Sequence, residues 1–427
     1  MKLTVVGLGY IGLPTAIMFA KNNVDVLGVD INQKVIDQLQ DGQISIEEPG
    51  LQEAYQEVLE TGKLKVSTTP EASDVFIISV PTPNNQDQYK SCDISIVMRA
   101  LDSVLSLLKK GNTIIVESTI APKTMDDYVK PAVEERGFTV GEDVYLVHCP
   151  ERILPGKILE ELVYNNRIIG GVTKACTAEG KRVYRTFVKG EMIETDARTA
   201  EMSKLMENTY RDVNIALANE LTKICQNLEI NVIDVIGMAN KYPRVNIHQP
   251  GPGVGGHCLA VDPYFIIAKD PADSQLIQTA RGINNSMPAY VVKQTKSILK
   301  LLKGHKVTVF GLTYKGDVDD IRESPAFDIY RLLLQEPDIE VRAYDTHVNL
   351  DFVDQDMAQA VENASLVLIL SDHSEYKGLK DDDFKSMKHK VIFDTKNVVN
   401  SKFEEVAYYH YGNLFELEKN LTDKNKM

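Results

Sequence analysis

Short apolar runs alternate with helical stretches through roughly the first 170 residues. The runs Leu3–Val6, Val26–Val29, Val75–Val80, Thr113–Glu117, Val144–His148 and Ile168–Val172 read as strands. Several are apolar on both faces, as parallel strands covered by helices must be. Strand–helix alternation of this kind predicts a doubly wound parallel sheet. From about Asp196 the pattern changes. Ala200 to Leu228 holds no Gly or Pro and is rich in Ala, Leu, Met, Glu and Lys. It reads as one helix of about 40 Å. The chain stays mainly helical to about Leu302, interrupted by Pro250-Gly251-Pro252-Gly253-Val254-Gly255-Gly256. Strands then return at Lys306–Phe310, Glu340–Tyr344, Leu366–Leu370 and Val391–Phe393. The predicted architecture is α/β. Two Rossmann-like doubly wound parallel-sheet domains, residues 1–196 and 303–427, are joined by a helical domain, 197–302, with one long central helix. The end, Glu418 to Met427, is charged and reads as frayed.

Composition narrows the function. A chain of 427 residues supports real cores and about three domains. A net charge of −14 argues against bulk binding to nucleic acid or an anionic membrane, which needs a basic surface. An anionic small ligand needs only local positive charge. The five cysteines are Cys92, Cys149, Cys176, Cys225 and Cys258. An odd count without a CxxC pair excludes a disulfide scaffold and a structural zinc site, so no metal is expected and a reducing cytoplasm fits. No apolar run reaches the length of a membrane span. The N-terminus enters a strand directly, unlike a signal peptide.

Gly7-Leu8-Gly9-Tyr10-Ile11-Gly12 fits G-x-G-x-x-G between a strand and the helix Leu13–Lys21. Gly7 permits the tight turn, Gly9 lets backbone approach a pyrophosphate, and Gly12 lets helix and strand pack closely. Asp30 closes the next strand, 18 residues after Gly12. There it accepts from ribose hydroxyls and repels a 2′-phosphate, favouring NAD over NADP. Val80-Pro81-Thr82-Pro83 and Glu117-Ser118-Thr119 leave strand ends where open α/β sheets bind ligands. Thr82 and Thr119 fit cofactor contacts there, or ordinary strand-end turns.

Gly255-Gly256-His257-Cys258-Leu259-Ala260-Val261-Asp262 carries the sharpest chemical signal. A glycine loop delivers Cys258 to a helix start, a setting that lowers a thiol pKa and makes a nucleophile. Asp262, four residues on, shares its face if the segment is helical. The plainer alternative is a small buried Cys. Lys204 and Asn208 are an i, i+4 pair suited to a developing oxyanion, or part of a solvated face. Arg211 and Asp212 follow a turn later. In Pro150-Glu151-Arg152, Glu151 suits a base and Arg152 a phosphate or sugar contact, unless they form a strand-end salt bridge. Lys315 in Gly311-Leu312-Thr313-Tyr314-Lys315-Gly316, with Arg322 and a helix start at Ser324-Pro325, makes a second candidate diphosphate site.

The ordered set GLGYIG, VPTP, ESTIAP, CPER, KLMEN, PGPGVGGHCLAVDP and GLTYKGDVDDIRESPA resembles the UDP-glucose/GDP-mannose dehydrogenase family across essentially the whole chain. The resemblance implies a double oxidation of a sugar C6 alcohol with NAD. Cys258 traps the aldehyde as a thiohemiacetal, which is oxidised to a thioester and hydrolysed. His257 before Cys258 and Ala260-Val261 after it depart from the wording of UDP-glucose enzymes. They imply a UDP-N-acetylhexosamine, UDP-N-acetyl-D-mannosamine first, for surface polysaccharide; UDP-N-acetylglucosamine and UDP-glucose are the alternatives. Lys204 and Asn208 match oxyanion positions, Asp262 and Thr119 positions that handle water, and Glu151 a hydrolytic base. Arg152, Ile153, Arg211, Arg244, Gly255, Tyr314 and Lys315, with Lys204 and Asn208, match substrate positions. Tyr10, Ile11, Asp30, Lys34, Thr82 and Arg322 match cofactor positions, alongside Gly7, Gly9 and Gly12. Tyr242 stands where relatives have His and receives no role. A homodimer along the long helix is also implied, with Arg244 acting across it.

Two other readings are a β-hydroxyacid dehydrogenase, which lacks the cysteine and the third domain, and a dinucleotide sensor, which needs no Cys258. Two NADH per product acid, one, or none separates the three. Cys258 is also a candidate for a regulatory disulfide, with Cys92 as partner on the polar stretch Asn84–Asp93; cytosolic redox poise favours no such bond.

Overall fold

A computed structural model of the chain describes residues 1–153, 156–417 and 419–420. It forms two compact units. The first is Met1–Glu207 with Tyr264–Pro271, and the second is Asn208–Pro263 with the chain from Ala272 onward. The long helix, Ala197–Leu228, begins in the first unit and ends in the second.

The first unit holds eight strands: β1 (Lys2–Val6), β2 (Asp25–Val29), β3 (Leu64–Ser67), β4 (Val75–Ile78), β5 (Thr113–Val116), β6 (Tyr145–His148), β7 (Arg167–Gly171) and β8 (Met192–Asp196). Their order is β3-β2-β1-β4-β5-β6-β7-β8. β4 and β5 are buried at every position, because helices cover both faces of a parallel sheet. One feature departs from the all-parallel expectation: β7 pairs antiparallel with β6, and β8 follows β7 in parallel. The order reverses between β1 and β4, which puts the loop Gly7–Gly12 and the loop after β4 at the switch point.

The second unit holds β9 (Lys306–Phe310), β10 (Glu340–Tyr344), β11 (Val353–Asp354), β12 (Leu366–Ile369), β13 (Val391–Asp394) and β14 (Ala407–His410), all parallel, in the order β11-β10-β9-β12-β13-β14. Alternate residues feed two cores, as the strand period of two requires. Val307 and Val309 join Leu366 and Leu368 on one face, whereas Phe310 joins Val367 and Ile369 on the other. Helix Pro325–Leu334 starts where expected, with the Ser324 hydroxyl accepting from Phe327 N at 3.4 Å and Pro325 in the first turn. Of the tail read as frayed, Glu418 and residues 421–427 lie outside the described residues. Among the described residues, no helix is long and apolar enough to cross a membrane.

Candidate active site

The first unit builds a dinucleotide loop. Gly7 has φ +95°, and a Cβ there would sit 2.2 Å from Ser79 O, so only glycine fits. A Cβ on Gly12 would lie 1.9 Å from Gly7 O, which is the close helix–strand packing expected of the third glycine. A Cβ on Gly9 would meet nothing within 4 Å, so its backbone faces open space where a pyrophosphate can approach. No side chain caps the helix Gly12–Lys21. Asp30 directly follows β2 with its carboxylate fixed, Oδ2 accepting from Leu8 N at 3.0 Å and Oδ1 from Asn32 N at 2.9 Å. Tyr10 and Lys34 are exposed, and Ile11 is half-buried. These residues fit a dinucleotide that carries free ribose hydroxyls.

Two neighbouring loops are zipped to each other. Ser118 Oγ donates to Val80 O at 2.7 Å, and Thr82 Oγ1 donates to Thr119 O at 2.7 Å. The turns after β4 and β5 therefore bring Thr82 and Thr119 together beside the switch point.

The loop after β6 carries Glu151, Arg152 and Ile153. Glu151 Oε2 accepts from Arg167 Nη2 at 2.5 Å, and Oε1 accepts from Arg152 N at 2.8 Å. Arg152, expected at the substrate, here donates to Glu207 Oε1 at 2.8 Å and to Asn166 O. Cys149 is fully buried, and its desolvated thiol is pushed up to about 12.

In the second unit Cys258 is exposed, in contrast to the other four cysteines. It lies one turn ahead of helix Asp262–Lys269, with Asp262 N donating to Cys258 O at 2.9 Å. Asp262 is buried and accepts from Asn208 Nδ2 at 2.6 Å. The glycines of the loop are forced by close approach. A Cβ on Gly255 would lie 2.3 Å from Glu323 O, and one on Gly256 2.7 Å from the Tyr314 ring. Burial pushes the half-buried Tyr314 hydroxyl up. Asp320 is bracketed by Arg322 Nε at 2.8 Å and His257 Nε2 at 3.2 Å. Lys315, Arg211 and Arg244 are exposed. A buried network anchors the loop from behind. Arg281 Nη1 donates to Asp212 Oδ1 at 2.6 Å, Asn284 Nδ2 to the same oxygen at 2.8 Å, and Asn219 Nδ2 to Asn284 Oδ1 at 2.9 Å. Gly251 N then donates to Asn219 Oδ1 at 2.9 Å.

Within single units the structure thus gathers the glycine loop, Asp30, Thr82 and Thr119 in one place, and Cys258, Asp262 and Asn208 in another. Lys204, half-buried, is one helical turn before Asn208, and the unit boundary falls after Glu207. Cys92, placed by its sequence on a polar loop, is 9% exposed. Sequence reasoning missed Glu117, Arg167, Tyr184 and Arg281. The available signal was a lone charge beside an apolar strand run, as in Arg167-Ile168-Ile169 and Ile115-Val116-Glu117.

Asp317, His347, His373 and Glu375 also converge, with ligand-type atoms within 4.8 Å of one another. His373 Nδ1 accepts from Asp317 N at 2.9 Å while Nε2 faces Asp345 Oδ2 at 3.3 Å. The two imidazoles stack at 4.4 Å and 14°. His347 Nε2 lies 3.5 Å from Glu375 Oε1 and 4.0 Å from Asp317 Oδ1.

Three family models match in chain order. The NAD binding domain of the UDP-glucose/GDP-mannose dehydrogenase family matches residues 1–188, its central domain 198–286, and its UDP binding domain 308–401. The chain belongs to this family. It is an NAD-dependent UDP-sugar dehydrogenase. A UDP-N-acetyl-D-mannosamine dehydrogenase of Methanocaldococcus jannaschii is 48% identical over 95% of this chain and 94% of its own. The UDP-N-acetyl-mannosamine dehydrogenase Cap5O of Staphylococcus aureus is 82% identical with a TM-score of 0.93, covering 98% of this chain and 100% of that one. A UDP-D-ManNAc dehydrogenase of Pyrococcus horikoshii is 41% identical with a TM-score of 0.91, covering 97% and 100%.

For a member of this family, Asp30→Ala is expected to weaken NAD binding by about tenfold or more, the value of charge-assisted hydrogen bonds of about 1.5–3 kcal/mol. It should also relax discrimination against NADP. Isothermal titration with both dinucleotides checks this, and equal turnover of the wild-type protein with NAD and NADP would contradict it.

Proposed function

We propose that this chain oxidises the C6 hydroxyl of a UDP-N-acetylhexosamine, UDP-N-acetyl-D-mannosamine first, to the uronate in two steps. The observation that carries the reading is Cys258, exposed on a glycine loop one turn ahead of Asp262, with Asp262 held by Asn208. NAD, when bound, supplies the hydride acceptor for each oxidation. Gly7, Gly9, Gly12 and Asp30 bind its phosphates and adenosine ribose, with Tyr10, Ile11, Lys34, Thr82 and Arg322 as further contacts. Arg152, Ile153, Arg211, Arg244, Gly255, Tyr314 and Lys315 bind the UDP-sugar.

The chain's own chemistry then follows. Lys204 and Asn208 stabilise negative charge on the sugar oxygen, and Lys204 exchanges its proton. The Cys258 thiolate adds to the aldehyde carbon and holds it as a thiohemiacetal, so the aldehyde cannot escape between two cofactor-binding events. Oxidation leaves a thioester. Glu151 takes a proton from water, whose oxygen adds to the thioester carbonyl, and the Cys258 thiolate leaves. Thr119 and Asp262 orient that water. The functional division is 1–196 for NAD, 197–302 for the cysteine loop and dimerisation, and 303–427 for the UDP-sugar.

Three relatives named for the manno sugar, 41–82% identical to this chain, support that epimer. The uronate product suits surface polysaccharide synthesis, from a cytoplasmic pool of NAD and UDP-sugar. Assay of the purified protein with UDP-ManNAc, UDP-GlcNAc and UDP-glucose tests the reading. Two NADH per acid and preference for UDP-ManNAc are expected; one NADH per product would overturn the mechanism.

The same proposal includes a homodimer along the long helix. Met206, Tyr210, Leu217, Ile224 and Leu228 are 43–62% exposed along it, an apolar stripe at helical spacing. Leu217→Glu with Ile224→Glu should convert a dimer to a monomer in sedimentation velocity. A wild-type monomer would refute the dimer.

A further inference from the structure

Arg167 opens β7 and is the only charge in that strand. Its side chain is 4% exposed, against 0% for Glu117 and 8% for Glu151. A buried guanidinium must be paired, and one carboxylate suffices for that. Here two carboxylates share it: Glu151 at 2.5 Å and Glu117 at 3.4 Å. The Arg167 plane is fixed by the Tyr184 ring, whose centroid is 4.5 Å from Cζ, and by Phe187 at 6.0 Å. Glu117 is held in turn. Tyr184 donates to its Oε1 at 2.6 Å and Thr15 to its Oε2 at 3.3 Å. Thr15 lies on the helix that opens on the dinucleotide loop. The groups that face Glu117 are therefore Arg167, Glu151, Tyr184, Thr15 and, through Arg167, Cys149.

We propose that Arg167 and Glu117 are positioning residues for the hydrolytic step: Arg167 fixes the carboxylate of Glu151, and Glu117 fixes Arg167 and ties it to the cofactor-loop helix. The proposal rests on the reading of Glu151 as the base that activates water. The two carboxylates are not equivalent. Glu151 sits on the loop at the ligand end of the sheet. Glu117 lies inside, where burial pushes its carboxyl up to about 7 and the neighbouring Glu151 pushes in the same direction. With Glu117 ionised, Arg167 is shared between the two carboxylates, and Glu151 accepts the proton from water. With Glu151 protonated after taking a proton from water, ionised Glu117 remains as the partner of the guanidinium. A pair with one carboxylate would strand a buried cation at that point, which is costly.

The test uses the full-length protein with NAD and UDP-ManNAc, and compares Glu151→Gln, Glu117→Gln and Arg167→Lys. Readouts are kcat, both KM values, the pH profile of kcat, and the intact mass of the protein during turnover. Glu151→Gln should accumulate a covalent uronyl-nucleotide adduct on Cys258. Glu117→Gln and Arg167→Lys should accumulate the same adduct, lower kcat about tenfold or more, and leave both KM values within about twofold, the split expected when a group acts in one chemical step. Glu117→Gln should also displace the neutral-pH limb of the profile, which a merely structural role would not move. Arg167→Lys keeps the charge and should lose less than Arg167→Met. If Arg167→Lys does not fold, Glu117→Gln, which keeps shape and hydrogen-bonding, carries the test. An adduct with Glu151→Gln but none with folded Glu117→Gln or Arg167→Lys overturns the positioning role alone. No adduct with Glu151→Gln overturns the base itself, and the positioning role with it.

Discussion

Cys258→Ser is expected to lose about three to six orders of magnitude in steady-state turnover while still binding NAD and UDP-sugar, as when a nucleophile is removed from an otherwise intact site. The two halves of the reaction have different needs. Loss of the first hydride from the C6 alcohol needs orientation and a proton acceptor, and no sulfur. The second oxidation proceeds from a covalent hemiacetal, and release of the acid then needs a labile acyl link. A serine hydroxyl is harder to ionise at neutral pH than a thiol, and its ester is less reactive than a thioester. The other cysteines cannot substitute. Cys149 is fully buried with its thiol pushed up to about 12, Cys176 and Cys225 are buried in the cores of their units, and Cys92 is buried as well. Stopped-flow measurement of NADH and quantitation of the acid check the result. Near wild-type conversion to the acid by Cys258→Ser would remove covalent catalysis from the mechanism.

Arg281→Ala should destabilise the second unit by about 3–5 kcal/mol, the usual cost of stranding one partner of a buried ion pair. Arg281 is 4% exposed and Asp212 fully buried, so neither recovers water when the other is removed. The loss should appear as a drop of about 10 °C in the melting transition. Burial pushes the Asp212 carboxyl up even with Arg281 beside it. A carboxyl whose folded pKa is raised stabilises the fold below its unfolded value and loses that contribution as pH rises through the folded value. Without Arg281 the carboxyl rises further. The deficit should therefore be largest at neutral pH and shrink as pH falls through the raised folded value and Asp212 takes up its proton. The double variant Asp212→Leu with Arg281→Met should be milder than Arg281→Ala, because it removes both charges and keeps volume. Because Asn284, Asn219 and Gly251 continue the network toward the cysteine loop, Arg281→Ala should also slow turnover. A melting temperature unchanged at pH 7 would show that the ion pair contributes nothing to the fold.

The sequence by itself determined those features whose physics is local. Strands with both faces apolar, such as Val75–Ile78 and Leu366–Ile369, announce parallel pairing because only covered strands tolerate that composition. The glycine loop, the Ser324-Pro325 helix start and the long helix are each written in a few neighbouring residues. Cys258 and Asp262 were legible as a pair because four residues close one helical turn. The edge strands β3, β8, β11 and β14 were not, being short or only partly buried, so their hydrophobic pattern is weak. Only the tertiary structure decided that β7 runs antiparallel to β6. Pairing direction depends on how the intervening chain crosses the sheet, and the apolar run Ile168–Val172 is compatible with either. It also decided the buried polar sites. Thr15, Glu117, Glu151, Arg167 and Tyr184 come from five separate segments of the first unit, and Asp212 and Arg281 from two helices of the second. A charge in sequence carries no mark of its partner. Whether it is a solvated surface group or half of a buried pair is settled by which segments fold against it, since burial without a partner costs several kcal/mol.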